Sequence, residues 1–119
     1  MYKLKDLIPL VEEQIDLIMT TGDFDEEKTK EVASDIPFLH FYSVRLEFLD
    51  QVAKYSELKM LEFMTETLRS YNGHINIDLY DKVVKEKTDE VISVIDKFSN
   101  CVIDNLKHFE IPEIHFAGI

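Results

Sequence analysis

Two long amphipathic runs, Phe38 to Arg69 and Ile77 to Phe109, are separated only by a short connection containing the turn-like Tyr71-Asn72-Gly73-His74. Helices joined by so short a link fold back antiparallel. At about 1.5 Å per residue each run spans on the order of 48 Å if unbroken, so the hairpin is the spine of any fold this chain adopts. The 119 residues suit one compact domain, and with 45% hydrophobic residues, three Gly and three Pro the chain has the apolar surface to fold without cross-links. The expected class is all-α: an antiparallel bundle of three to four helices built on a long αα-hairpin. Residues 1–109 form its single domain and residues 110–119 an extended apolar C-terminal tail.

Shorter elements flank the hairpin. Leu4, Leu7, Ile8, Val11, Ile15 and Ile18 recur at helical spacing, which predicts a first helix over Leu4 to Thr20, with Pro9 near its first turn and Gly22 as its break. Asp23 or Asp25 then caps a short acidic helix over Glu26 to Ser34. Val32 and Ala33 are its main apolar residues, so it is predicted to pack weakly and fray. Pro37 restarts the chain into the third helix.

The third helix carries two apolar rows, Phe41, Val44, Phe48, Val52 and Tyr42, Leu46, Leu49, Ala53, which predicts neighbours on two sides. Glu47, Asp50, Lys54 and Glu57 fall on the remaining stripe, with Asp50 and Lys54 one turn apart and able to pair. Around Lys54-Tyr55-Ser56-Glu57 the pattern changes phase, and Leu58, Leu61, Met64 and Leu68 take over as the expected core row. A break near Ser56 is open at this point, so residues 38–69 are one helix or two. Met60, Phe63 and Met64 read as core.

Tyr80, Val84, Val91, Val94, Phe98, Cys101 and Val102 make a regular seam in the last helix, flanked by Ile95, Leu106 and Phe109, with Asn76 or Asp78 as its cap. Lys87, Asn105 and His108 interrupt that seam too often for a two-stranded coiled coil, which favours a bundle closed by the first helix. Pro112 ends the helix, and Ile111, Ile114, Phe116 and Ile119 make the tail apolar enough to dock, on its own bundle or on another subunit or partner.

Charge narrows the partners. The net charge is -11, and Thr21 to Asp35 holds six acids against two lysines, so phosphate backbones are repelled and nucleic acid is not an expected partner. Charge-free windows such as Ile36 to Val44 fall far short of the roughly 20 apolar residues that span a bilayer, and the apolar stretch Leu7 to Val11 is too short for a secretory signal. No membrane association is expected. A single cysteine, Cys101, precludes an intramolecular disulfide and points to a reducing cytoplasm; on the apolar seam, with only Lys97 a turn away, it reads as inert.

Three patterns touch on chemistry. Arg69 and His74 stand in an Arg-x-x-x-x-His spacing that resembles the motif of HEPN-family ribonucleases. That resemblance implies a dimer in which Arg69 stabilises phosphate charge and His74 transfers a proton. Glu13 with Asp16, and Glu47 with Asp50, place acids at i and i+3, similar to the magnesium-holding pairs of MazG-like nucleotide pyrophosphohydrolases. His40, His108 and His115 with Glu110 or Glu113 offer metal-ligating types, but not the Glu-x-x-His pair that presents ligands on one helical face. No cofactor or metal is expected.

The leading expectation is therefore a small acidic helical protein-interaction module of inhibitor, immunity, chaperone or assembly-subunit type, without catalytic activity. Its partner is another protein or a second copy of itself, met through the acidic face of Glu26, Glu27 and Glu31 or through the tail residues Ile111, Ile114, Phe116 and Ile119. The alternative is a small HEPN-like ribonuclease or MazG-like nucleotide hydrolase.

Overall fold

The computed structural model describes residues 4–36, 41–72, 74 and 76–106. They form a 3-10 turn, Leu4–Asp6, and four α-helices: α1 (Leu7–Thr21), α2 (Glu26–Ser34), α3 (Phe41–Ser70) and α4 (Ile77–Asn105). Phe48 meets Phe98 near one end of the hairpin while Phe63 meets Lys87 further along, so α3 and α4 run antiparallel. α1 packs against both of them, and α2 lies along α4. The order is up, down, up, down, which makes the all-α bundle built on an αα-hairpin the observed architecture. The helix start at Pro37 and Phe38 and the tail over 110–119 lie outside the described residues, as do His40, Phe109 and the candidate ligands His108, Glu110, Glu113 and His115.

Local chemistry sets the element ends. Gly22 closes α1 at φ +82°, the left-handed conformation that costs a residue without Cβ least, and its N–H donates to the Ile18 carbonyl at 3.0 Å. The Asp25 carboxylate caps α2 by accepting from the Lys28 N–H at 3.0 Å. For α4 the cap is Asn76, whose Oδ1 accepts from the Asp78 N–H at 2.7 Å. At the hairpin tip Asn72 takes φ +50°, a left-handed turn conformation that Asn tolerates, and the Tyr71 carbonyl accepts from the His74 N–H at 2.9 Å.

The core gathers where all four helices overlap. Fully buried Phe98 stands at its centre, 5.6 Å from the Phe24 ring and 5.9 Å from the Phe48 ring. Ile15 and Ile18 of α1, Val32 and Ala33 of α2, Val44 and Val52 of α3, and Val91 and Val102 of α4 close around it. Polar ties hold the same region: Gln14, buried, accepts from the Asp25 N–H at 2.6 Å, and Lys28 pairs with Glu13 at 2.7 Å, so the α1–α2 turn is fixed from both sides. α2 is better packed than its thin apolar content predicts, because Thr29, Val32, Ala33 and the following Ile36 are all buried. Few apolar residues suffice when every one of them faces the neighbour.

α3 is one uninterrupted helix through Ser56. The expected core row beyond that point is not a core row: Leu58, Leu61 and Leu68 are 49%, 53% and 46% exposed. α1 has 15 residues, about 22 Å, against 30 residues in α3, about 45 Å. It ends beside Phe63 and Lys87, and no described helix covers the hairpin beyond it. Among the described residues the second row of α3 also has no covering helix, with Leu46 and Ala53 exposed and Leu49 half-buried. The result is a long molecule, 66 × 32 × 19 Å, with a radius of gyration of 18.2 Å. A compact chain of this length would have about 13.5 Å.

Candidate interaction surface

The distal half of the hairpin is an arm of two helices standing clear of the four-helix base. On its outward side Leu58, Leu61, Thr65 and Leu68 recur every three to four residues and so share one face of α3. Leu58, Leu61, Glu62, Thr65, Glu66 and Arg69 line a shallow groove along that face. On its lining Glu62 and Glu66 outnumber Arg69, with Glu62 paired to Lys59, and Glu57 stands exposed just before Leu58. The tip adds exposed Tyr71, Ile77 and Leu79. Burying a leucine side chain fully contributes roughly 1.5–3 kcal/mol, so three leucines left about half exposed forgo a stabilisation that a covering helix would recover.

Beneath the arm the α1–α3 contact is polar and tightly paired. The Tyr55 hydroxyl donates to Asp16 at 2.9 Å, and the Lys59 ammonium reaches Asp16 at 3.2 Å and Glu62 at 3.1 Å. Glu62 first, then Asp16, hold Lys59 in its charged form above the ordinary lysine range. Burial, reinforced by the bond to Asp16, pushes the Tyr55 phenol up from its usual value of 10.0. Lys87 donates to the Met19 carbonyl at 2.8 Å and lies 5.8 Å from the Phe63 ring centre, which explains a lysine within the α4 seam: it satisfies the open C-terminal turn of α1.

The residues singled out for chemistry are dispersed. Arg69 is in the last turn of α3 and His74 in the connection beyond it, both exposed at the far end of the arm. The acids of the first i, i+3 pair serve different neighbours, Glu13 binding Lys28 of α2 and Asp16 binding Tyr55 and Lys59 of α3. In the second pair Asp50 is bound to Lys54 at 2.8 Å, the pairing their spacing predicts, while Glu47 borders the α1–α3 groove with Lys5, Phe48 and Gln51. Among the described residues no three His, Cys, Asp or Glu side chains gather into a metal-holding group. Cys101 is half-buried on α4, and burial, followed by the charge of Glu26, raises its thiol pKa, so the nucleophilic thiolate is disfavoured.

Glu26 and Glu27 stand exposed on the first turn of α2, with Glu26 bound to Lys30 at 2.9 Å, and Glu31 lies exposed on the same helix. Ile111, Ile114, Phe116 and Ile119 fall outside the described residues. Sequence reasoning missed the outward leucine row as a surface. The signal was present in the length of the first helix, which is too short to cover a 30-residue partner. No described helix is long and apolar enough to cross a membrane. No family model matches the chain, and no curated protein or solved structure matches it.

Proposed function

We propose that this protein is a non-catalytic interaction module, working in a reducing compartment such as the cytoplasm, whose α3–α4 arm receives a basic amphipathic helix of another protein. The observation that carries this reading is the half-exposed row Leu58, Leu61 and Leu68, which no described helix covers, beside the acids Glu57, Glu62 and Glu66. A helix with leucines at i, i+3 and i+10 and lysines beside them matches both the apolar spacing and the rim. A second copy of the chain matches less well, because it would bring another net charge of -11 against the first. The single cysteine supports the compartment.

The test uses a synthetic helical peptide with leucine at those spacings and lysine between, followed by fluorescence anisotropy. Binding is expected to weaken at least tenfold with Leu61→Asp and to fall steeply between low and physiological salt. A peptide of the same leucine spacing carrying glutamate is expected not to bind. Binding that survives Leu61→Asp but is lost when Glu26, Glu27 and Glu31 become glutamine would move the contact to α2 and overturn the arm reading. Self-association of the chain, seen as a doubled mass by light scattering and lost with Leu61→Asp, would replace the basic partner by a second copy.

A further inference from the structure

Glu62 stands on the border between two depressions of the surface. On one side it lines the leucine groove with Leu58, Leu61 and Thr65; on the other it lines a notch at the end of α1, with Asp16, Met19, Lys59, Phe63 and Lys87. Lys59 draws it toward the notch. The Lys59 ammonium lies 3.1 Å from Glu62 Oε2 and 3.2 Å from Asp16 Oδ1, and 5.3 Å from the centre of the Tyr55 ring. The Lys59 side chain is 24% exposed and that of Glu62 52%, so the lysine is fixed by its surroundings while the carboxylate has room to turn. Lys87, the other cation of the notch, is committed to the Met19 carbonyl at 2.8 Å.

Asp16 and Glu62 share one ammonium, which leaves the triad with one negative charge in excess. We infer that a cation of the basic partner takes Glu62 over from Lys59, dividing the triad into two pairs, Lys59 with Asp16 and Glu62 with the partner. The inference rests on the basic-helix reading of the arm and adds how that surface is gated: Lys59 is an internal occupant that the partner displaces. The displacement is within reach, because an ion pair this exposed holds its carboxylate by a factor of about five at most. It also strands no charge, since Asp16 and the Tyr55 ring keep the ammonium compensated. Asp16 itself is anchored by the Tyr55 hydroxyl at 2.9 Å. As Asp16 belongs to α1 and Glu62 to α3, the exchange concentrates Lys59 on the α1–α3 contact and couples binding at the arm to its junction with the base.

The full chain and the leucine and lysine peptide test it by fluorescence anisotropy at roughly 0.1 M salt, where exposed charges more than about 10 Å apart are screened. Lys59→Met keeps the aliphatic stem and removes the ammonium, and is expected to tighten binding about threefold. Lys82→Met removes the same charge from an exposed position on α4, 4.0 Å from Glu86, and is expected to leave binding unchanged. Glu62→Gln should weaken binding about twofold in the parent chain and about sixfold in the Lys59→Met background, the signature of two groups contending for one carboxylate. Equal effects in the two backgrounds would overturn the inference and leave the basic partner standing. Absence of binding to the parent chain and to Lys59→Met alike would overturn the basic-partner reading and the inference with it. In the unmutated protein the NMR signal of the Lys59 Cε methylene is expected to shift as the peptide saturates, a readout that does not depend on how well any variant folds. A signal unmoved at saturation would overturn the inference.

Discussion

Tyr55 shows how one side chain ties two helices and makes the tie depend on pH. Its hydroxyl donates to the Asp16 carboxylate at 2.9 Å, a bond only the protonated phenol can make. Because burial and then that bond raise its pKa in the folded state above 10.0, the folded protein holds this proton more tightly than the unfolded chain. The contribution is therefore fully present below pH 10 and is lost as pH rises through the folded value. Tyr55→Phe is expected to lower stability by about 1 kcal/mol at pH 7, with the Lys59 contact to the ring, 5.3 Å away, retained. Urea unfolding of both proteins across pH 7 to 11 should show a constant gap up to pH 10 that narrows above it. A gap that widens above pH 10 would assign the bond the wrong sign.

Among the elements, α3 carries the clearest lesson about what a sequence pattern encodes. Phe48 and Leu61 both stand in rows of helical period, yet Phe48 is 2% exposed and Leu61 half exposed. The period reports that a face is apolar; whether anything covers it depends on the length and placement of other helices. Gly22 and Asp25, which mark the end of α1 and the start of α2, were legible because capping chemistry is local. The packing of α2 was not, since it depends on Thr29, Val32 and Ala33 meeting one neighbour together. Asp16 likewise reads in sequence as half of a carboxylate pair, and only the fold shows it bound to Tyr55 and Lys59. The difference between the two kinds of apolar row is measurable: Phe98→Ala should cost about 3–5 kcal/mol and Leu61→Ala about 0.5 kcal/mol or less by chemical denaturation. Equal losses would mean that Leu61 is covered in the free protein.

For the whole molecule, the separation into a four-helix base and a two-helix arm implies uneven local stability. In the arm, beyond the end of α1, Thr67 alone is buried among the described residues of α3, and none is buried on α4 before Val91. The helical hydrogen bonds there are held by one partner helix, whereas α4 as a whole packs against α1, α2 and α3 and buries Phe98 and Val102 fully. Backbone opening follows the number of packed neighbours, so the arm should open far more often than the base without unfolding it. Amide hydrogen exchange is expected to be at least a hundredfold faster over residues 61–72 and 77–86 than over 91–102. Raising protein concentration should leave that ratio unchanged if the chain is monomeric, and a bound basic peptide should slow exchange over 58–69 ahead of the base. Uniform protection along α3 in the free, dilute protein would show that the arm is already covered, and the partner-binding reading would lose its surface.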